Sequence, residues 1–501
     1  MVFAAGMLAL WCTRAAAQEQ AEPLVLSPEQ AVAFALERSL VLKGARLGPQ
    51  VAALEVKAAS TAWSPYVSGH AGIVDVRTPP LTVFDPQSGL VSRQIASSTV
   101  VGQTLPWGSS YAVEWDAGRV TGNSSIVRFN PQLTTSGTIT FTQRLLRGLT
   151  IDEARANRLI SRKGQTVAEA QLASNVALTT HAVLRTYWTW IYARDYLATE
   201  QKSLALAQSL LRDDRERAAL GKIAAVDVVE AEAEVARRSD VILSATKDVA
   251  NAEDQLRLLI FAPRDPEQGR DLAPPPLLGE FETPTTPPGE MIAHALDTRQ
   301  DLRILRAYLD IDDITVRRLR NDSLPDVSLG LGYTGRGAAG NAVPPAPGNP
   351  VPAVGTRDFS SALGDLVHSR FPAWSAELTV SLPVGRAHAA AEAAKESIKR
   401  RQDETALRNA EQEVVTEVKS VLRSVEANHQ RLPLTENAVT LAQRRLEAEQ
   451  RKFLVGLSTS FLVIQAQRDL TTAKESQVKS ALDYRLSMAD LQVVQTISVQ
   501  Q

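Results

Sequence analysis

Two Pro-poor runs constrain this chain more than anything else in it. Asp152 to Arg217 has no proline and a single interior glycine, Gly164, and Ala387 to Lys452 is interrupted only by Pro433. Each predicts one helix of roughly 65 residues, roughly 100 Å at about 1.5 Å per residue. A helix of that length cannot bury one face inside a compact domain and needs partner helices along its length. Pro433 is expected to kink the second.

Both runs end in a short break followed by a second helical stretch. The later break lies within Gln450–Leu470, where Gly456 can close a helix at φ > 0 and Ser458 or Thr459 can cap the next. The earlier break is at Gly221. Setting Gly221 on Gly456 brings Val228 onto Val463 and Ala231 onto Ala466. The correspondence extends upstream. At an offset of 260, Ala33, Leu36, Leu42, Pro65, Val67 and Gly72 fall on Ala293, Leu296, Leu302, Pro325, Val327 and Gly332 without a gap. The chain therefore reads as two tandem copies of helix, strand, loop, strand, long helix, break, return helix. The first copy is 18–262 and the second 290–501, with a Pro-rich linker at 263–289 that holds eight prolines.

Within each copy the strands sit between the opening helix and the long one. Helices are expected over Pro28–Ala62 and Glu290–Asn321. Strands are expected over Tyr66–Arg77, in a hairpin within Ser98–Gly118 turning at Pro106-Trp107-Gly108, and over Thr135–Leu145, Val327–Thr334 and Trp374–Val384. Thr78–Ser97, Arg119–Thr134 and Gly335–Gly355 read as loops, and Thr356–Phe371 fits either state. Two strands per copy leave open edges. Several chains around an axis close both problems at once, the strands into a barrel and the helices into a tube.

Composition narrows the function classes. Net charge is −2, with charges dispersed as on solvated helix faces, so no nucleic-acid footprint exists. Val2–Cys12 is a short apolar run, and Ala15-x-Ala17 fits a signal-peptidase site, so residues 1–17 are expected to be a signal peptide cleaved after Ala17 rather than lipidated at Cys12. No later stretch reads as a membrane-spanning helix, which leaves β-strands as the route through a bilayer. The six histidines show no metal-ligand spacing. No phosphate loop, nucleophile elbow or catalytic pair is present to support an enzyme, and no cofactor is expected.

The ordered set of motifs resembles the TolC-like outer-membrane efflux proteins (outer-membrane factors). The residues that carry it are Leu26-Ser27-Pro28-Glu29-Gln30-Ala31, Ser64-Pro65, Phe141 to Gly148, Ser381-Leu382-Pro383-Val384, Val455-Gly456-Leu457 and Gln465-Ala466-Gln467-Arg468. The resemblance implies a mainly α homotrimer whose protomers each give four strands to a 12-stranded outer-membrane β-barrel, continued by a periplasmic α-helical barrel. The linker and termini would form an equatorial collar. It implies the exit duct of a tripartite efflux pump or type I secretion system, in contact with outer-membrane lipid. The duct would be passive and opened by a periplasmic adaptor linked to an inner-membrane transporter. Adaptor docking would use the tips, Leu220, Gly221 and Lys222 in one copy and Val455, Gly456 and Leu457 in the other. Lys222 departs from the family's third position. The aspartates that the family often carries at its constriction fall here on Leu462 and Gln465, while Asp227 and Glu230 carry acids in the first copy. Asp227 and Glu230 could ring the aperture, Asp227 could latch to Arg451 or Lys452, or both could lie on a solvated helix face. The rival reading is a periplasmic adaptor, which would have one hairpin rather than two.

Overall fold

The computed structural model describes residues 24–81, 86–124, 126–262, 265, 269–273, 275, 277–279, 281, 286–344, 355–382 and 387–497. The expected signal peptide with Cys12, twelve residues of the Pro-rich linker and Pro383-Val384 lie outside these. The chain divides into two compact units, 49–168 with 305–407, and 1–48 with 169–304 and 408–501, so each half of the sequence contributes to both.

The first unit is built on one antiparallel sheet. Its strands are β2 (Tyr66–Thr78), β3 (Leu90–Thr104), β4 (Ser109–Gly122), β5 (Phe129–Arg144), β7 (Asp326–Ala342) and β8 (Pro372–Ser381), hydrogen-bonded in that order. The expectation of four strands is corrected to six. The hairpin within 98–118 lies inside the sheet, between the strands on either side of it in sequence. Three expected loops are in part strand: β3 begins at Leu90, β4 and β5 leave only 123–128 between them, and β7 runs on to Ala342. The turn falls where expected, with Gly108 at φ 91°.

The register sorts side chains onto two faces, since neighbours along a strand alternate. One row across all six strands is Val67, Val101, Val113, Ile139, Tyr333 and Trp374, each opposite the next and each solvent-exposed. The opposite face carries His70, Ser98, Asp116, Ser136 and Arg336 in one row. The sheet is thus apolar on one side and polar on the other.

The segment that fitted either state is a helix, α8 (Phe359–Val367), with Asp365 buried and paired to Arg357 and Arg370. It lies on the apolar face over β5 and β7. A Cβ at Gly337 would stand 2.0 Å from the Ala362 carbonyl oxygen, and one at Gly335 2.8 Å from Leu366 Cδ1. The run Gly335 to Ala342, which reads as a loop by composition, is a strand kept bare so that a helix can rest on it.

The expected helix over 28–62 is three pieces, α1 (Pro28–Arg38), α2 (Leu40–Ala45) and α3 (Leu47–Ser60), followed by a single 3-10 turn. That over 290–321 is two, α6 (Pro288–Thr298) and α7 (Gln300–Asp322). The breaks at Ser39 and Arg299 have extended backbone, ψ 125° and 131°. They are 260 residues apart, the offset of the duplication.

The second unit is helical. Its long elements are the C-terminal part of α4 (Glu153–Ala219), α5 (Ala225–Ile260), the C-terminal part of α9 (Ala387–Leu454) and α10 (Ser460–Val494). α4 and α9 span 67 and 68 residues, as the sequence requires, and Pro433 lies within α9 without ending it. One buried core joins α1, α4, α5 and α10. Tyr187 and Trp190 are fully buried there, and the Tyr187 hydroxyl donates to the Leu26 carbonyl at 2.6 Å. The two-residue strand β1 (Leu24–Val25) pairs in parallel with β6 (Leu272–Ala273) at its edge.

Candidate functional site

Both helix breaks close in the same way. Gly221 and Gly456 have φ 69° and 76°. The next residue's N–H reaches five residues back, Lys222 to the Arg217 carbonyl at 2.9 Å and Leu457 to the Lys452 carbonyl at 2.8 Å. This is the Schellman pattern, which satisfies helix-end carbonyls by a left-handed glycine. The return helices start differently. Thr459 caps α10 by accepting from the Leu462 N–H, whereas Ala224 has no side-chain acceptor and Asp227 reaches back to its N–H at 3.3 Å.

The tips expose apolar side chains. Leu220, Val226 and Val229 protrude at the first, and Leu454, Val455, Leu457, Phe461 and Leu462 at the second. Beneath them the two hairpins share a buried cluster that includes Leu210, Leu211, Leu446, Phe453, Val463 and Leu470. The tip is therefore anchored below and apolar above, a form suited to a partner surface.

The four aperture candidates are placed apart from one another in role. Asp227 is half-buried as a helix cap, Glu230 and Gln465 are exposed, and Leu462 belongs to the apolar tip. Among the described residues no hydrogen bond or ion pair joins them within the protomer. The suggested latch is absent within the protomer, since Lys452 pairs with Glu449 and Arg451 with Glu447.

Other residues tie the hairpins together, and sequence reasoning missed them. Ser460 donates to the buried Asp214, whose carboxyl is pushed up by burial, with the Ser460 hydrogen bond opposing. Arg217 donates to the Phe453 carbonyl at 3.1 Å and lies 4.3 Å over its ring. Arg468 forks onto Glu234 at 2.7 and 2.9 Å, and Arg237 and Arg238 bind the same carboxylate. Burial disfavours the charged Glu234, but these three guanidiniums outweigh it and hold the carboxyl below its ordinary range. Aligning the two tips gives no hint of this tie, because Glu234 then falls on Asp469 and Arg468 on Ala233.

Deeper in the same unit, Arg238 also donates to the fully buried Glu200 at 3.1 Å. The other oxygen of Glu200 is buried without a hydrogen bond. Glu475 of α10 stands beside it, its carboxyl pushed up to about 7 by burial and by Glu200.

Among the described residues no group of three or more His, Cys, Asp or Glu side chains could hold a metal, and no helix is long and apolar enough to cross a membrane. His181 bonds Asp490 at 2.6 Å.

Residues 291–494 match the family model described as outer membrane efflux protein. No curated protein matches the chain. Among solved structures, the fold is similar to the outer-membrane channel OprN, with TM-score 0.67 and 15% identity over 93% of this chain and 89% of that one. It is also similar to the CmeC outer membrane channel of Campylobacter jejuni, with TM-score 0.66 and 14% identity over 93% and 85%. The open state of the MtrE outer membrane channel of Neisseria gonorrhoeae matches with TM-score 0.62 and 16% identity over 93% and 88%.

Proposed function

We propose that this chain, whose residues 291–494 match the outer membrane efflux protein model, is a member of that family and the outer-membrane exit duct of a tripartite pump or type I secretion system. The observation that carries the reading is the two-faced sheet. Apolar side chains ring one face across all six strands and polar ones the other, as a barrel needs when lipid lies outside and water inside. A periplasmic adaptor has no use for an exposed apolar sheet face.

The duct is a homotrimer of duplicated protomers. β2 and β8 are the free edges of each sheet, so closure joins β8 of one protomer to β2 of the next. Three six-stranded sheets make an 18-stranded barrel rather than the 12-stranded one implied by the resemblance. Barrel diameter grows roughly linearly with strand number, so the mouth is wider by about half. The helices form the periplasmic part. The exposed apolar tips around Gly221 and Gly456 are docking sites for a periplasmic adaptor, through which an inner-membrane transporter supplies the energy. Lys222 makes the two docking sites unequal. Tip opening is a shift between two packings of the hairpins, biased by the adaptor.

The test is planar-bilayer conductance of the purified protein, with disulfide trapping between cysteines placed on β2 and β8. Conductance together with a covalent trimer ladder is expected. A monomer without conductance would refute the duct. A conducting trimer that never cross-links between these strands would refute the strand count alone.

A further inference from the structure

At the helix-bearing end of the sheet lies a cavity of about 680 Å³ whose lining holds five arginines and no acid. Its walls come from four of the five places where strands leave that end of the sheet. Trp63 precedes β2, Pro106 is in the β3–β4 turn, Ile151 follows β5 and Leu324 precedes β7. Arg158 and Arg162 of α4 and Arg317 and Arg320 of α7 converge across it. Arg155 is partly used by the fold, bonding Asp152 and the carbonyls of Gly148, Leu149 and Thr150.

The others are short of partners. Arg158 lies 5.3 Å over the Trp63 ring, and its buried Nε has no hydrogen bond. Among the described residues no carboxylate pairs with Arg158, Arg162, Arg317 or Arg320. The nearby acids are engaged elsewhere: Asp310 with Lys163, Asp313 with Arg400 and Asp322 with Arg318. Four like charges gathered without counter-charge are costly unless an anion joins them. Guanidinium forks fit a phosphate in particular.

The remaining lining is mainly apolar, Trp63, Pro106, Ile151, Leu159 and Leu324, beside Thr150 and Asn321, which bond each other, and Leu146 and Leu149 are exposed close by in sequence. A free inorganic anion gains nothing from such walls, whereas a phosphate attached to acyl chains uses both halves. We propose that this cavity binds the headgroup phosphate of an anionic phospholipid from the periplasmic leaflet. This rests on the reading of the sheet as an outer-membrane barrel, which puts the short-turn end of the strands at that leaflet. Arginines hold the phosphate while the acyl chains run along the apolar walls toward the outer face of the sheet.

The experiment is native mass spectrometry of the detergent-purified trimer titrated with phosphatidylglycerol, phosphatidylcholine or inorganic phosphate. R158Q and R320Q are compared with wild type, and R158K serves as the charge-preserving control. Arg320 is exposed, so its replacement leaves packing intact. Expected are phosphatidylglycerol adducts saturating near one per protomer, about tenfold weaker in R158Q and R320Q and largely kept in R158K. Phosphatidylcholine should bind much less, and millimolar inorganic phosphate should not displace the lipid. Equal binding of the two lipids, or unchanged binding in both glutamine variants, would overturn the proposal. Displacement by inorganic phosphate would overturn the lipid assignment in favour of a soluble anion. Conductance is measured on the same samples. A conducting trimer without selective lipid sinks only this site, and a non-conducting one sinks the duct.

Discussion

Replacing Glu475 by glutamine should make the hairpin unit insensitive to pH where the wild type is not. Glu475 stands on α10 beside the fully buried Glu200 of α4, which Arg238 of α5 already holds from one side. A protonated Glu475 gives the orphaned Glu200 oxygen a donor, and an ionised one sets two carboxylates against each other. Its folded pKa is raised from 4.5 to about 7. Below about pH 4.5 the folded and unfolded forms both carry the proton, and the full stability is present. Between about 4.5 and 7 only the folded form keeps it, so stability is lost as pH rises. Above 7 the loss is complete. At about 1.4 kcal/mol per pH unit the ceiling is about 3 kcal/mol per protomer, and partial solvation brings the expected loss to about 1–3. The amide introduced by E475Q would donate to the same oxygen with no proton to lose. Hydrogen exchange of peptides covering Glu200 and Glu475 reads this directly as local opening. After correction for intrinsic exchange, wild-type protection should fall between pH 5 and 8 by roughly 5- to 150-fold, the equivalent of that energy range. In E475Q it should stay level. The two proteins should match at pH 5, with the variant better protected at pH 8. Parallel pH profiles for both proteins would refute the shared-proton arrangement.

Three further substitutions test other parts of the structure. G456V should destabilise the second tip by about 1–2 kcal/mol from backbone strain alone, because φ is 76° and no atom lies within 4 Å of the added Cβ. Faster proteolysis at the tip, with the helix content by circular dichroism unchanged, is the readout. G337V places a Cβ onto the Ala362 carbonyl, so α8 must leave its seat. Segment 355–371 should become protease-sensitive while the sheet persists. R299A breaks the buried pair that Arg299 makes with Glu417 at 2.6 Å, and should cost about 3–5 kcal/mol in urea unfolding of the helical unit.

The helices were legible because their signals are local. Absence of proline set the lengths of α4 and α9, and the glycines at 221 and 456 set both tips. The breaks at Ser39 and Arg299 carry no glycine or proline. What holds Arg299 out of the helix is tertiary, a guanidinium shared by Asp301, Glu417 and the Val494 carbonyl. Strand extent failed for a related reason. Polar residues such as Ser92, Gln94 and Thr134 face one side of a sheet whose other side is apolar, so stretches of it read as loop by composition. The glycines of β7 were misread because their function is to admit α8, a segment that comes later in the chain. At the tips the sequence located the exposed residues but not the ties beneath them. Asp214 with Ser460 and Glu234 with Arg468 become visible only when two separate hairpins are laid side by side.

The extra hairpin and the arginine cavity have one origin. In the sheet-bearing unit six strands are continued by only four helical stretches, α3, the start of α4, α7 and the start of α9, while α8 lies on the sheet face. β3 and β4 therefore end in a turn with no helix to continue them. That end is sealed by backbone and polar contacts. Ser109 is fully buried and bonds Gln143 at 2.5 Å, and Gly108 sits where a Cβ would stand 2.8 Å from the Gly148 carbonyl oxygen. Beside the sealed turn a gap remains between α4 and α7, and Pro106 forms part of its wall. An apolar filling there would serve stability alone, yet the helices turn Arg158, Arg162, Arg317 and Arg320 into it. Shortening the hairpin to join β2 directly to β5 should thus act twice. It should narrow the proposed 18-stranded barrel toward 12 strands, lowering conductance, and open the cavity, abolishing selective phosphatidylglycerol binding. Loss of either property without the other would mean that the hairpin does not build the cavity.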